Sequence, residues 1–274
     1  MQVISVDCGR QGVKAVSGNR RLFIPSIVGE WRERKISEGG EYEVSINGQQ
    51  YFIGELAERE SRFRREMATR SKLHEETKAL TLAAIAILAE HDNIKLVTGL
   101  PVEQYTKELK AEFTKLLTGY HVIEVNNTTK HFTLQPDDIS ISIEGGGAYW
   151  TAMPGTNKCR VIDLGSRTIN ALTIYSNRFA DLDSTTLDYG CLEIQNAAGS
   201  EQAAEQLARR IYADLSRRWL DLKNELVLLA GGGSLLMERW LKEYFPGAKL
   251  VADPVYGNAL GWYSMGVAKW QGKS

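Results

Sequence analysis

One short pattern occurs twice in this chain and constrains its fold more than any other feature. An apolar strand ends in an aspartate, a turn containing glycine follows, and a second apolar run returns. Asp7 ends the strand of the first copy, and Asp163 ends the strand of the second. Glycine lets such a turn close tightly and approach a ligand with bare backbone. A single Asp-Leu-Gly turn is common, but its recurrence predicts an internal duplication of α/β units, each with a similar loop.

The residues around both turns suit phosphate and metal binding. Successive backbone N–H groups in a tight turn can bind an anion, and a carboxylate at a strand end can hold a cation through water. Lys14 follows the first turn, where its ammonium can reach a phosphate. Two such hairpins facing one another across a cleft would hold one polyphosphate between Asp7 and Asp163.

Composition argues against several other classes of protein. The 274 residues carry a formal net charge of −1, whereas broad contact with a DNA backbone needs clustered positive charge. No stretch approaches the roughly 20 apolar residues of a membrane span, and the N-terminus predicts a strand rather than a signal peptide. The cysteines and histidines show no metal or disulfide spacing: Cys8, Cys159, Cys191, His74, His91, His121 and His131. We therefore expect a cytoplasmic protein without a structural metal.

Apolar periodicity predicts alternating strands and helices along the chain. Asn47-Gly48 between two alternating segments predicts a hairpin. Short strands are predicted near residues 121–125, 130–134 and 139–143. Helices are predicted over residues 75–91, 103–117, 200–219 and 235–245, with Ser200 as a cap and a closing helix at 256–274.

Two glycine clusters stand at predicted strand ends. Glu144 is followed by Gly145-Gly146-Gly147, and the strand ending at Ala230 is followed by Gly231-Gly232-Gly233-Ser234. Bare backbone between a strand and a helix N-terminus lets a ligand lie close to the chain. A glycine cluster by itself also fits close packing or a hinge.

The order of these motifs resembles the actin-like ATPase superfamily. Asp7-Cys8-Gly9 and Asp163-Leu164-Gly165 look like its two phosphate loops, and Ala230-Gly231-Gly232-Gly233 looks like its adenosine loop. Asn258-Ala259-Leu260-Gly261, preceded by Pro254 and Tyr256, is most similar to the second connecting helix of bacterial plasmid-segregation actins of the ParM type. Three further segments share the resemblance: Ile53-Gly54-Glu55-Leu56-Ala57, Gly99-Leu100-Pro101 and Glu144-Gly145-Gly146-Gly147-Ala148-Tyr149.

The resemblance implies an α/β, actin-like fold of two duplicated ribonuclease-H-like domains. Domain I would comprise residues 1–150, with a small subdomain inserted at about 33–75, and would be completed by the C-terminal helix at 256–274. Domain II would comprise residues 151–255. Only the segment from Tyr175 to Leu229 separates the second hairpin from the adenosine loop, so the upper subdomain of domain II is expected to be missing. This short span resembles the AlfA type, which lacks the same part.

The resemblance also implies a filament-forming ATPase that segregates plasmid DNA, with ATP or GTP and Mg²⁺ as cofactors. A DNA-binding adaptor protein would link the filament to plasmid centromere DNA, without direct DNA or membrane binding. Asp7 and Asp163 would hold Mg²⁺ through water, and Glu144 would orient or activate the attacking water. The implied nucleotide-binding residues are Gly9, Arg10, Gln11, Gly12, Lys14, Gly165, Ser166, Arg167, Thr168, Gly231, Gly232, Gly233 and Ser234.

Two other classes share this fold and stay open as alternatives. A small-molecule kinase would need an acidic residue and polar groups for its substrate near the cleft, and the sequence offers no clear set. A chaperone-type ATPase would continue into a further domain, whereas the sequence stops at Ser274. Nucleotide-dependent light scattering separates a filament from both alternatives.

Overall fold

The computed structural model describes residues 1–36, 42–66, 71–153, 155–196, 200–220 and 225–272. The expected inserted subdomain at about 33–75 therefore lies partly outside the described residues. Residues 67–70, which fall within that expected subdomain, are among those outside the described ranges.

Strands and helices both occur throughout the described residues, which confirms the mixed α/β class. The strands are β1 (Gln2–Cys8), β2 (Gly12–Ser17), β3 (Arg20–Pro25), β4 (Ile27–Glu30), β5 (Tyr42–Ile46), β6 (Gln49–Ile53), β7 (Arg65–Glu66), β8 (Ile94–Leu100), β9 (Gly119–Val125), β10 (Thr128–Leu134), β11 (Ile139–Ile143), β12 (Lys158–Leu164), β13 (Ile169–Tyr175), β14 (Arg178–Phe179), β15 (Thr185–Leu187), β16 (Val227–Ala230) and β17 (Ala248–Leu250). The helices are α1 (Glu55–Glu60), α2 (Glu75–Leu88), α3 (Lys107–Leu117), α4 (Gly146–Ala152), α5 (Leu192–Asn196), α6 (Glu201–Leu215), α7 (Ser234–Tyr244) and α8 (Gly257–Trp270).

Contacts divide the chain into two compact units. Unit 1 comprises residues 1–100, 106–141 and 265–274, and unit 2 comprises residues 101–105 and 142–264. The units therefore change over near residue 141 and inside α8, whereas the family resemblance places domain limits near 150 and 256. Those expected limits stay a prediction.

Unit 1 holds two sheets. One has the strand order β11-β8-β1-β2-β3, and the other has the order β10-β9-β5-β6-β4-β7. Strand β1 is buried along nearly its whole length because β8 lies parallel to it on one side and β2 antiparallel on the other. Helix α2 is apolar around most of its circumference and is buried accordingly. The Asn47-Gly48 hairpin is confirmed, with both residues at positive φ.

Unit 2 repeats the central arrangement of the first sheet. Its sheet has the order β14-β13-β12-β16-β17, with β15 paired to β13. Strand β12 lies antiparallel to β13 and parallel to β16, as β1 does to β2 and β8. Asp7 is in register with Lys14, and Asp163 is in register with Asn170. The duplication seen in the sequence is therefore a duplication of strand pairing.

The predicted start of one helix shifts because local capping competes with apolar periodicity. The helix predicted from residue 103 begins at Lys107, since the Thr106 hydroxyl accepts a hydrogen bond from the Leu109 N–H at 3.2 Å. Tyr105, expected on the inner face of that helix, instead packs against the core of unit 2. Ser200 caps α6 as predicted. None of the described helices combines the length and the apolarity that crossing a membrane requires.

His121 makes the stability of unit 1 depend on pH. Its side chain is buried, Nε2 lies 3.0 Å from the Leu117 carbonyl oxygen, and Nδ1 has no hydrogen-bond partner. Burial, aided by the positive charge of Lys78, lowers the pKa of His121. The unfolded chain therefore binds a proton that the folded chain resists. The contribution of this pKa shift to the free energy of unfolding is present above the ordinary histidine pKa of about 6.5, and it is lost as the pH falls below that value.

We expect His121→Gln to flatten the loss of thermal stability between pH 7 and pH 5 relative to wild type. The slope of the free energy of unfolding against pH should fall by at most about 1.4 kcal/mol per pH unit, which is the limit for one titrating group. The measurement is the unfolding midpoint against pH, with the exposed His91→Gln as control. Equal slopes for His121→Gln and wild type would contradict the prediction.

Candidate functional site

The first hairpin brings Asp7 and Lys14 opposite one another. Asp7 is 9% exposed near the end of β1, and Lys14 stands in register with it on β2. The Lys14 ammonium lies 3.1 Å from the position that a Cβ on Gly9 would occupy. Lysine, aspartate and bare backbone are thus neighbours in this turn. The arrangement offers one cation and a set of backbone groups to an anion.

Ser26 holds this turn in shape from outside the predicted motif. Its hydroxyl donates a hydrogen bond to the Gly9 carbonyl oxygen, and its N–H donates to the Gln11 carbonyl oxygen at 3.2 Å. Arg10 is half-buried in the turn, and Gln11 is exposed. The carbonyl groups of the turn are therefore directed toward Ser26.

Lys72 places a second cation beside this hairpin, and the sequence did not predict it. Lys72 is only 4% exposed, and its ammonium donates a hydrogen bond to the Cys8 carbonyl oxygen at 2.8 Å. A buried ammonium is costly unless it is paired or hydrogen-bonded. Lys72 lies 64 residues from Cys8, so no local pattern could have revealed the contact.

Asp163 in unit 2 is held by a side chain from α8. Asp163 is 7% exposed, and the Asn258 amide nitrogen donates to its Oδ2 at 2.9 Å. The amide oxygen of Asn258 accepts from the N–H of Gly145 at 2.8 Å. The predicted aspartate and the Glu144–Gly145 turn are thus joined by one buried amide.

The loop from Gly165 to Thr168 is supported by residues 190–192. The N–H groups of Cys191 and Leu192 donate to the carbonyl oxygens of Gly165 and Ser166 at 3.0 and 2.8 Å. The Gly165 N–H donates within the turn to Thr168 at 3.1 Å, so this amide is already engaged. The predicted anion-binding amides of this loop are therefore those that follow Gly165. Residues 190–192 lie more than 20 residues from this loop in the chain, so no local pattern predicted the support.

Glu144 is oriented by an unpredicted partner. It is 7% exposed directly after β11, and the Asn170 amide nitrogen donates to its Oε2 at 2.8 Å. The Asn170 amide oxygen accepts from the Thr186 hydroxyl at 2.8 Å and from the Val102 N–H at 3.2 Å. Two donors on that oxygen direct the amide nitrogen toward Glu144. The Asn170 amide therefore orients the Glu144 carboxylate.

The loop from Gly231 to Ser234 is built around close backbone contacts. Gly231 has φ of 79°, and a Cβ there would lie 2.6 Å from Oδ1 of Asp163. The Gly233 N–H donates to the Leu164 carbonyl oxygen at 3.0 Å, and the Ser234 hydroxyl donates to Gly231 at 2.7 Å. Gly232 has no atom within 4 Å of the position of a Cβ. Gly231, Gly233 and Ser234 thus shape the loop beside Asp163, and Gly232 presents open backbone.

The Cys191 thiol and the acidic side chains near these loops offer neither a reactive thiolate nor a direct metal-binding cluster among the described residues. Burial, the negative charge of Asp163 and that of Glu193 raise the pKa of the Cys191 thiol to about 12, so it stays protonated. The described residues contain no cluster of three or more histidine, cysteine or acidic side chains suited to direct metal ligation. Single carboxylates such as Asp7 and Asp163 suit Mg²⁺, which keeps most of its water and takes few protein ligands.

Comparisons with known proteins give the family. Residues 5–147, just over half of the chain, match the family model described as Actin like proteins N terminal domain. A ParM filament of 15 strands from Clostridium botulinum is 23% identical, with a TM-score of 0.81 over 97% of this chain and 98% of that one.

Two further solved structures have the same fold. A filament of AlfA from the B. subtilis plasmid pLS32 is 20% identical, with a TM-score of 0.77 over 95% of this chain and 97% of that one. An archaeal actin homologue in complex with ADP is 20% identical, with a TM-score of 0.78 over 97% and 99%. No curated protein matches the sequence significantly. The family match and the repeated hairpins agree, and the chain belongs to the actin-like proteins.

Proposed function

We propose that this protein is a nucleoside triphosphatase that polymerises with nucleotide and segregates plasmid DNA through an adaptor protein. The observation that carries the proposal is the repeated hairpin, in which a buried aspartate ends a strand at the same register position in each unit. Asp7 and Asp163 are each proposed to bind Mg²⁺ through water. The hairpin loops would bind phosphate oxygens of the nucleotide.

The hydrolytic step is proposed to depend on position and charge rather than on a covalent intermediate. Glu144 would accept a hydrogen bond from the attacking water, since Asn170 already directs one of its oxygens. Lys14 would offset phosphate charge beside the first loop, and backbone at Gly232 would lie against the nucleoside. Mg²⁺, when bound, supplies charge neutralisation at the phosphates.

Polymerisation is supported by solved structures that share this fold. One ParM structure and two AlfA structures that resemble this chain are filaments, and one of these AlfA filaments is bound to AMPPNP. A filament needs a head-to-tail interface that does not close into a ring. DNA is proposed as an indirect partner, because a net charge of −1 offers little general attraction to a polyanion.

Light scattering and phosphate release, recorded together, test this proposal. Scattering is expected to rise when ATP and Mg²⁺ are added and to stay low with ATP and a chelator. Phosphate release is expected to follow the rise. A protein that hydrolyses ATP without any rise in scattering would favour a kinase or chaperone type of activity instead.

Discrimination between nucleobases is expected to be weak. Between Tyr175 and Leu229 the described regular elements are β14, β15, α5, α6 and short turns, with no room for an additional subdomain over the base. Absent hydrogen-bonding groups cannot reject the wrong base. The ParM and AlfA chains cited above are matched over 97–98% of their own length, so this chain is about as long as they are.

We expect GTP to support assembly within about tenfold of ATP, a difference of about 1.4 kcal/mol. The measurement is the nucleotide concentration that gives half-maximal sedimentation, with nucleoside diphosphates as controls. A preference of a thousandfold or more for either triphosphate would contradict the expectation.

A further inference from the structure

Asn258 occupies a buried position that joins two parts of unit 2. It is 6% exposed and lies in the first turn of α8. Its amide nitrogen donates to Asp163 Oδ2, and its amide oxygen accepts from the Gly145 N–H. An N–H can only donate, so the bond from Gly145 directs the amide oxygen toward Gly145 and the amide nitrogen toward Asp163.

Close helix packing holds Asn258 in this position. A Cβ on Gly261 would lie 1.9 Å from the Gly147 carbonyl oxygen, and a Cβ on Gly147 would lie 2.4 Å from the Asn258 carbonyl oxygen. Helices α4 and α8 therefore meet backbone to backbone. The Thr151 hydroxyl adds a hydrogen bond to the Gly257 carbonyl oxygen at 3.1 Å. The Asn258 side chain then has little freedom to move away from Asp163.

Few side chains can replace this amide. A carboxylate would accept from Gly145 but would face Asp163 with a second negative charge. An aliphatic side chain of similar size would leave a buried carboxylate oxygen and a buried N–H unpaired. A hydrogen bond to a charged group is also stronger than one between neutral groups. The amide both orients the carboxylate and favours its ionised form.

We propose that Asn258 is a positioning residue that sets the rotamer of Asp163 for Mg²⁺ binding and ties Asp163 to the turn after Glu144. The inference rests on the proposed nucleotide-binding function. Asn258 itself touches neither phosphate nor metal in this scheme. Its effect reaches the metal only through the carboxylate that it holds.

The test measures how much Mg²⁺ tightens nucleotide binding. A fluorescent ATP analogue is titrated with excess Mg²⁺ and again with a chelator, at protein concentrations where scattering shows no assembly. The ratio of the two dissociation constants is the Mg²⁺ gain. It is compared for wild type, Asn258→Ala, Asp163→Ala and the double variant. Ser264→Ala, an exposed change on the same helix, is the control.

We expect Asn258→Ala to reduce the Mg²⁺ gain by about tenfold or more, with binding in chelator unchanged. The double variant should match Asp163→Ala, because Asn258 acts through Asp163. Ser264→Ala should retain the full gain. A residue that only packs α8 against α4 would lower thermal stability and leave the Mg²⁺ gain as in wild type.

The outcomes separate this inference from the proposed function. A wild type that binds no nucleotide overturns the proposed function and this role with it. A wild type with a clear Mg²⁺ gain that Asn258→Ala retains overturns the inference alone. Asn258→Ser, with a shorter polar side chain, serves if the alanine variant does not fold. Failure of both variants to fold assigns Asn258 to the fold itself and overturns the positioning role.

Discussion

Asp163→Ala is expected to abolish Mg²⁺-dependent nucleotide hydrolysis, and Asp7→Ala is expected to do the same. Both residues are buried strand-end aspartates at matched positions in repeated hairpins. Removing either carboxylate weakens the binding of Mg²⁺, so the negative charge of the phosphates is poorly offset. Phosphoryl transfer depends on such electrostatic positioning. The expected loss in turnover is about a hundredfold or more.

The variants must be shown to be folded before their activity is read. Asp163→Ala leaves the Asn258 amide without its acceptor, which costs about 1–3 kcal/mol when the group stays buried. The measurements are phosphate release with ATP and Mg²⁺ and the unfolding midpoint of each variant. Asp92→Ala and Asp181→Ala, both at exposed positions, are the matched controls. Near-normal turnover in a folded Asp7 or Asp163 variant would refute the assignment of that residue.

Glu144→Ala is expected to separate assembly from hydrolysis. Its carboxylate lies directly after β11 and is directed by Asn170, but the proposed phosphate-binding groups lie in the hairpin loops. Losing a positioned base costs about a hundredfold to ten-thousandfold in rate. Nucleotide binding and filament growth should persist, while phosphate release slows and filaments last longer.

Phosphate release and sedimentation on the same samples check this expectation. Glu144→Gln is the closer replacement, because it keeps an acceptor for the Asn170 amide and removes the charge. Glu201→Ala, at an exposed position in unit 2, is the control. Unchanged hydrolysis in Glu144→Ala would show that Glu144 has no part in the reaction. Loss of nucleotide binding in a folded variant would show that it binds nucleotide instead.

Local rules predicted the elements that carry the candidate site. Alternating apolar residues on both sides of a glycine turn specified the two aspartate hairpins, and Asn47-Gly48 specified a third hairpin at positive φ. Ser200 marked the start of α6 because its hydroxyl accepts from the Ala203 N–H three residues on. Such signals need only neighbours in the chain, so one sequence is enough to read them.

Helix limits were less predictable where caps compete with periodicity. Leu109 and Phe113 continue a helical spacing that begins before residue 107, yet Thr106 accepts from the Leu109 N–H and starts the helix later. Residues 101–105 then join unit 2. The apolar pattern alone does not distinguish a helix from the turn that leads into it.

The sequence by itself determined the two repeated hairpins, β1–β2 and β12–β13, and the identity of the residues at their turns, because both follow from contacts between chain neighbours. Only the tertiary structure decided what holds those residues. Asn170 reaches Glu144 across 26 residues, Lys72 reaches Cys8 across 64, and Asn258 reaches Asp163 across 95. These buried polar contacts join elements far apart in the chain. No local periodicity encodes them, because a buried donor or acceptor finds its partner only once the elements have packed together.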